Sequence, residues 1–219
     1  MSANLPVRIA AAFPISLVLL TAPAEAHKNE TQIWLSQGAA VKLDATTIAI
    51  DLSERPNAQS AAKDQHLARF SITQAVAKGV ELGGGFTWSR VGQVDEYRPF
   101  EEITLTKGML ALRTRLEQRM FDNADGTVWR LRQRLQVSRS FDRARRWTLT
   151  ANGEVMVNLN SANVAPKTGL TQFRTQIGLR RALTEQLSLA LAYQRQQTIV
   201  SGGEDLVTHQ PILSLSARF

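Results

Sequence analysis

Apolar and polar residues alternate along most of this chain, in stretches of about ten positions broken by turn-forming residues, the signature of strands with two chemically different faces. The alternation predicts strands over 45–53, 66–77, 80–90, 100–106, 109–121, 127–139, 147–157, 170–181, 186–198 and 207–219. In 127–139, Trp129, Leu131, Leu135 and Val137 oppose Arg130, Arg132, Arg134 and Gln136. Stretch 109–121 also fits an amphipathic helix, because Leu112, Leu116 and Met120 recur every four residues. Its neighbour aligns only at period two, so both are read as strands of one hairpin.

The breaks alternate in length. Those at 78–79, 107–108, 142–145 and 183–185 are short, whereas 57–65, 91–98, 122–126, 158–169 and 201–206 are longer and more polar. Bacterial outer-membrane barrels have short periplasmic turns and longer external loops. Aromatic residues fall near strand ends: Trp88, Phe121, Trp129 and Phe173 at the external end, and Phe141, Trp147 and Phe219 at the periplasmic end. The pattern predicts an all-β, transmembrane, up-and-down antiparallel barrel of about ten strands. The segment ETQIWLSQGAAV, 30–41, is an eleventh candidate. Because a single-chain barrel is expected to have an even number of strands, this segment is expected to lie in the periplasm or lumen, or to be matched by a twelfth strand.

The ends and the composition set the compartment. Residues 1–26 combine Arg8, an apolar run from Ile9 to Leu20, and Ala24-Glu25-Ala26, the pattern of a cleaved secretory signal. The expected division is therefore 1–26 as signal peptide and 27–219 as barrel domain. Cysteine is absent, which excludes disulfides and thiolate chemistry. The net charge of +7 and pI of about 10.4 would suit nucleic acid, but export argues against that partner. Outer-membrane lipids and lipopolysaccharide phosphates are the expected partners, with Arg90 and Arg195 as candidate contacts. Phe219, closing the alternation Leu213, Leu215, Ala217, resembles the terminal signal presented to the barrel assembly machinery. The sequence specifies no oligomeric state.

In a barrel the arginine rows must point inward, since a lipid-facing Arg at mid-depth costs roughly 2–4 kcal/mol. The inward set is Arg69, Arg113, Arg115, Arg119, Arg130, Arg132, Arg134 and Arg174, against Asp51, Glu81, Glu102, Glu117 and Glu154. These are expected to form a charged network. The cationic surplus permits a narrow anion-preferring pore. The preferred expectation is a plugged, structural lumen, because small barrels are just wide enough for side chains to fill.

RTRLEQR (113–119), RLRQRLQVSRSF (130–141) and FRTQIGLRRAL (173–183) resemble the bacterial domain-of-unknown-function family 2490. That resemblance implies an outer-membrane β-barrel in a Gram-negative envelope. It carries no catalytic residues over.

Catalytic signatures are absent: there is no G-x-S-x-G, no phosphate loop and no metal-ligand spacing. The histidines are His27, His66 and His209, and Ser201, Glu204 and His209 lie near one another in sequence. The triple-glycine run 83–85 is read as a bend or a site of close packing. The expected protein is a structural or porin-like narrow-pore barrel, with no catalytic activity, cofactor or metal. Two alternatives stand beside it. One is a lipid-processing or lipopolysaccharide-binding barrel; the other is a soluble periplasmic lipocalin-like binder, which requires the leucine faces to point inward.

Overall fold

The computed structural model describes residues 28–162 and 168–219. The expected signal peptide lies outside the described residues. The strands are β1 (Lys28–Thr31), β2 (Trp34–Leu43), β3 (Thr46–Arg55), β4 (Gln65–Ala77), β5 (Val80–Val91), β6 (Val94–Lys107), β7 (Leu110–Phe121), β8 (Ala124–Ser140), β9 (Trp147–Asn158), β10 (Gly169–Ala182), β11 (Leu187–Thr198) and β12 (Leu206–Arg218). From β2 to β12 each strand pairs antiparallel with the next in sequence. β12 then pairs with β2 and closes the sheet.

The closed wall thus has eleven strands, and most of the 30–41 segment is the eleventh. It lies neither in the lumen nor beside the barrel, and no twelfth wall strand is needed. With an odd number, the first and last strands run the same way, so β2 and β12 pair in parallel, Trp34 opposite Ile212 and Ala40 opposite Arg218. β1 continues the same register, Lys28 opposite Leu206 and Thr31 opposite His209. The ladder breaks between β1 and β2, where Ile33 N donates to Pro56 O at 2.9 Å. The expectation of an even count therefore gives way to a parallel seam, with Lys28 and Phe219 at opposite rims.

Two of the longer breaks are tight turns instead. Arg90 pairs with Asp95 and Val91 with Val94, leaving residues 92–93 as the β5–β6 turn, and Gly92 there has a φ of 59°. Phe121 pairs with Ala124, so 122–123 turns β7 into β8. The polarity of Asp95, Glu96 and Arg98 suggested a loop. Inside a barrel the polarity of Glu96 and Arg98 marks the lumen face of a strand, while Asp95 points outward to Trp88 and Arg90. The longer connections follow Arg55, Asn158 and Thr198, and these three strand ends lie at the rim where β1 begins.

Alternation decides what faces out. Leu35, Ile50, Phe70, Leu82, Leu135 and Leu191 are among the exposed apolar side chains on the outer surface. The buried residues on the other face are mostly charged or polar. This is a soluble protein's pattern reversed, and it removes the lipocalin-like alternative, which needed the apolar faces inside.

Candidate functional site

β6 to β9 carry the lumen arginines and carboxylates side by side, and their registers stack the charges. Arg115 pairs across with Glu102 and Arg132, Glu117 with Arg130, and Arg134 with Glu154. The Glu102–Arg115 and Glu117–Arg130 steps place a guanidinium directly against a carboxylate on the same face, while Arg115 and Arg132 meet side by side and share the acids around them. Glu117, fully buried, accepts from Arg130 Nε at 2.8 Å and Nη2 at 2.5 Å, and from Arg132 Nη1 at 2.7 Å. The other Nη of Arg132 donates to Glu154 at 2.6 Å, so this side chain bridges two acids. Arg113 Nη2 donates to the other Glu154 oxygen at 2.7 Å and its Nε lies 3.7 Å from Glu102. Arg115 closes the chain with Nε to Glu102 at 2.8 Å. The guanidinium of Arg115 also lies 4.0 Å from the ring centre of Phe100.

Phe100 explains part of the glycine run. A Cβ on Gly85 would lie 2.2 Å from the Phe70 carbonyl oxygen and 2.8 Å from the Phe100 ring. The bare backbone of β5 lets that ring lie flat beneath Arg115.

The sequence reading did not include Glu96 and Arg98, because it placed them in a loop. Arg98 donates to Glu96 from Nε at 3.1 Å and Nη2 at 2.6 Å, and Arg119 binds the same carboxylate. Arg69 donates twice to Asp51, at 3.1 and 2.9 Å. Glu81 has to be taken out of the network. It lies at the rim end of β5, exposed, and forms no ion pair among the described residues. Its opposite neighbours, Ala75 and Thr104, carry no charge.

Three arginines are under-compensated. Arg134 has no carboxylate within ion-pair distance among the described residues, although it sits in register between Arg113 and Glu154. Arg174 donates Nε to Gln196 at 2.6 Å and reaches Glu154 only at 3.8 Å. Arg55, also absent from the sequence reading, donates to Ser53 and Gln65, both neutral. Arg113 Nε and Arg132 Nε lack hydrogen-bond partners.

The opposite wall is made of small side chains. Ser36, Gly38, Ser53, Ser214 and Ser216 line a cavity of about 510 Å³, facing Arg55, Arg69, Arg113, Arg134 and Arg174. A second cavity of about 540 Å³ opens toward the short-turn rim, between Ala40, Ala49, Ser188, Arg180 and Arg218. Gly38, Asp51 and Ser216 line both cavities. They occupy one row of the sheet: Asp51 pairs with Gly38, and Gly38 with Ser216. A Cβ on Gly38 would come 2.9 Å from an Asp51 carboxylate oxygen.

The candidate lipid contacts lie on the outer face near the long-loop rim. Arg90 is engaged by Asp95, at 2.7 and 2.5 Å, beside Trp88. Arg195 makes one hydrogen bond, to Gln197 at 3.3 Å. His209 shares a 2.6 Å hydrogen bond with the Tyr193 hydroxyl, and among the described residues none joins it to Ser201 or Glu204. No cluster of three metal-ligating side chains occurs among the described residues.

A family model described as "Protein of unknown function (DUF2490)" matches residues 31–207, and the chain belongs to that family. No curated protein matches it. Among solved structures it is similar to OmpTdeltaL8, a loop L8 deletion mutant of OmpT, an outer membrane protein of Vibrio cholerae. The two are 12% identical with a TM-score of 0.36, and the match covers 69% of this chain and 56% of that one. The chain thus spans little more than half the length of that protein.

Proposed function

We propose that this protein is an outer-membrane β-barrel whose lumen is a narrow, anion-preferring pore, held open on one side by its Arg–Glu network. The observation that carries this reading is the charge balance around an unfilled lumen. Ten arginines (55, 69, 98, 113, 115, 119, 130, 132, 134 and 174) surround the first cavity with five carboxylates (51, 96, 102, 117 and 154). Charges taken out of water need counter-charges. Here the balance is supplied by mobile anions in the water of the two cavities. The sequence favoured a plugged lumen; the small-residue wall of β2, β3, β11 and β12 supports the open alternative.

The apolar outer surface suits a bilayer, with Trp88, Tyr97 and Trp129 toward one rim and Phe141, Trp147 and Phe219 toward the other. On this reading residues 1–26 direct export and are removed. Phe219 engages the assembly machinery, and the long-loop rim faces outside, where Arg90 and Arg195 meet lipopolysaccharide phosphates. Neither nucleic acid nor a catalytic step has a part in it.

The test is fractionation followed by conductance. Protein from outer-membrane fractions should run as a compact band that shifts on boiling. In planar bilayers under a potassium chloride gradient, small steps with a reversal potential on the anion side are expected. A heat-shifting protein that never conducts would return the network to a purely structural role.

A further inference from the structure

Trp34 is set apart from the other three tryptophans, which lie on the outward rows of β5, β8 and β9. It begins β2, lines the lumen and is buried. Two guanidiniums lie against its ring, that of Arg55 at 3.7 Å from the ring centre and that of Arg174 at 5.8 Å. Arg55 makes no ion pair among the described residues, and Arg174 only the 3.8 Å approach to Glu154. Two like charges share one aromatic surface without a counter-charge in hydrogen-bond contact. The arrangement is incomplete without an anion. Elsewhere on this face Arg98, Arg113, Arg115, Arg119, Arg130 and Arg132 each meet a carboxylate, and Arg134 is the other exception.

The surrounding groups narrow the anion's chemistry. A tetrahedral oxyanion offers acceptors in several directions, whereas a carboxylate is satisfied by one fork. The remaining lining here is amide-rich: Gln32, Gln65, Gln172 and Gln196. Gln32 accepts the Trp34 indole N–H at 2.8 Å, which fixes the ring in place. Gln172 Oε1 is buried without a partner and requires a donor, such as a hydroxyl. Unpaired guanidiniums backed by an aromatic ring, amides and an unmet acceptor together match a phosphorylated, polyhydroxylated small molecule. The sheet is closed at β12–β2, so such a group enters from an aqueous rim on a soluble carrier.

We propose that Trp34, Arg55 and Arg174 form a binding site in the upper lumen for the phosphate of a small sugar-phosphate-type solute. This rests on the lumen being water-filled, as the pore reading holds, but the site can be occupied whether or not the barrel conducts.

The experiment is calorimetric titration of the folded full-length protein in detergent micelles, first with inorganic phosphate and then with glucose 6-phosphate. Saturable binding is expected, tighter for the sugar phosphate. Loss of one charge-assisted contact should weaken it by roughly tenfold in Arg55→Gln and in Arg174→Gln. Lys78→Gln, in a distant turn, should bind as the native protein does. Should the arginine variants fail to fold, the native protein still decides. Phosphate should protect its tryptophan fluorescence from iodide quenching, and Trp34→Phe should lose the protected fraction. Absence of saturable binding, or binding by both arginine variants as tight as that of the native protein, overturns the proposal. So does displacement of bound phosphate by solubilised lipopolysaccharide in preference to glucose 6-phosphate. Binding without conductance would remove the pore and keep the site; conductance without binding would do the reverse.

Discussion

Glu117 shows how one side chain holds two strands of the charged wall. It lies on β7, is fully buried, and receives Arg130 and Arg132 from β8. Removing one partner of a buried ion pair leaves the other charge uncompensated, which costs about 3–5 kcal/mol. Glu117→Gln should therefore lower the urea midpoint and the temperature at which the compact gel band is lost. Glu81→Gln, at a carboxylate with no ion pair, should leave both unchanged. Equal effects from the two would mean that the network is ornamental. A second residue-scale case lies in the β8–β9 turn. Asp142 accepts the backbone N–H of Trp147 at 2.8 Å and of Arg146 at 3.0 Å. These bonds, the Trp147 one foremost, hold its carboxyl below the usual aspartate range. The sign follows: the folded turn favours the ionised form, so its contribution is complete above the unfolded value of about 3.9 and is lost as pH falls through the folded value. A carboxyl carbon-13 titration of Asp142 should show a midpoint under the ordinary value, and a midpoint above it would contradict the geometry.

At the scale of the strand, β6 holds both what the pattern revealed and what it concealed. The alternation of Ile103 and Leu105 with Glu102 and Thr104 marked its second half as a strand with two faces. Its first half, from Val94 to Pro99, looked like a loop because three of six residues are charged. Polarity separates loops from strands only when the strand's hidden face is apolar, and here that face is the charged one. The same inversion hid Arg55, the last residue of β3, whose partner Trp34 lies on a segment that the even-number expectation had set aside. Arginine rows were legible on one strand pair because leucine marked their opposite face; contacts reached across the lumen leave no periodic trace. β6 also carries a residue that its setting does not explain. Glu101 lies near the middle of the strand, exposed on the outer face between Gly84 and Leu116, with no ion pair among the described residues. In the proposed bilayer an acidic residue at that depth is destabilising, by less than the roughly 2–4 kcal/mol of a basic one. Glu101→Leu should raise the unfolding midpoint in lipid vesicles. A fall instead, or a change in oligomeric state, would mean that Glu101 meets a protein partner within the membrane.

The whole molecule is lopsided, and under the proposed pore reading its conductance should follow from that. Most of the lumen arginines lie on β7, β8 and β10, while serines, Gly38 and glutamines are the commoner lumen side chains beside the seam, so in the pore reading the path runs along the seam where the first and last wall strands meet in parallel. Along that path the two cavities meet at Gly38, Asp51 and Ser216. Asp51 is the one carboxylate among those three, and Arg69 holds it through two hydrogen bonds to a single oxygen. Selectivity in a narrow pore is set by fixed charge at the point where ions pass closest to the wall. Asp51→Asn removes the acid there while retaining its size, and leaves Arg69 unpaired and facing the path. The reversal potential under a chloride gradient should move further toward anion preference, with conductance kept or increased. Gly38→Leu acts on the same row by volume. Its Cβ already meets the Asp51 oxygen at 2.9 Å, and the rest of the side chain projects into the junction, so conductance should fall to near zero while heat-shifted mobility persists. The two variants separate charge from shape at one position. Should Gly38→Leu conduct as the native barrel does, ions take some other route, and the parallel seam closes the sheet without forming the path.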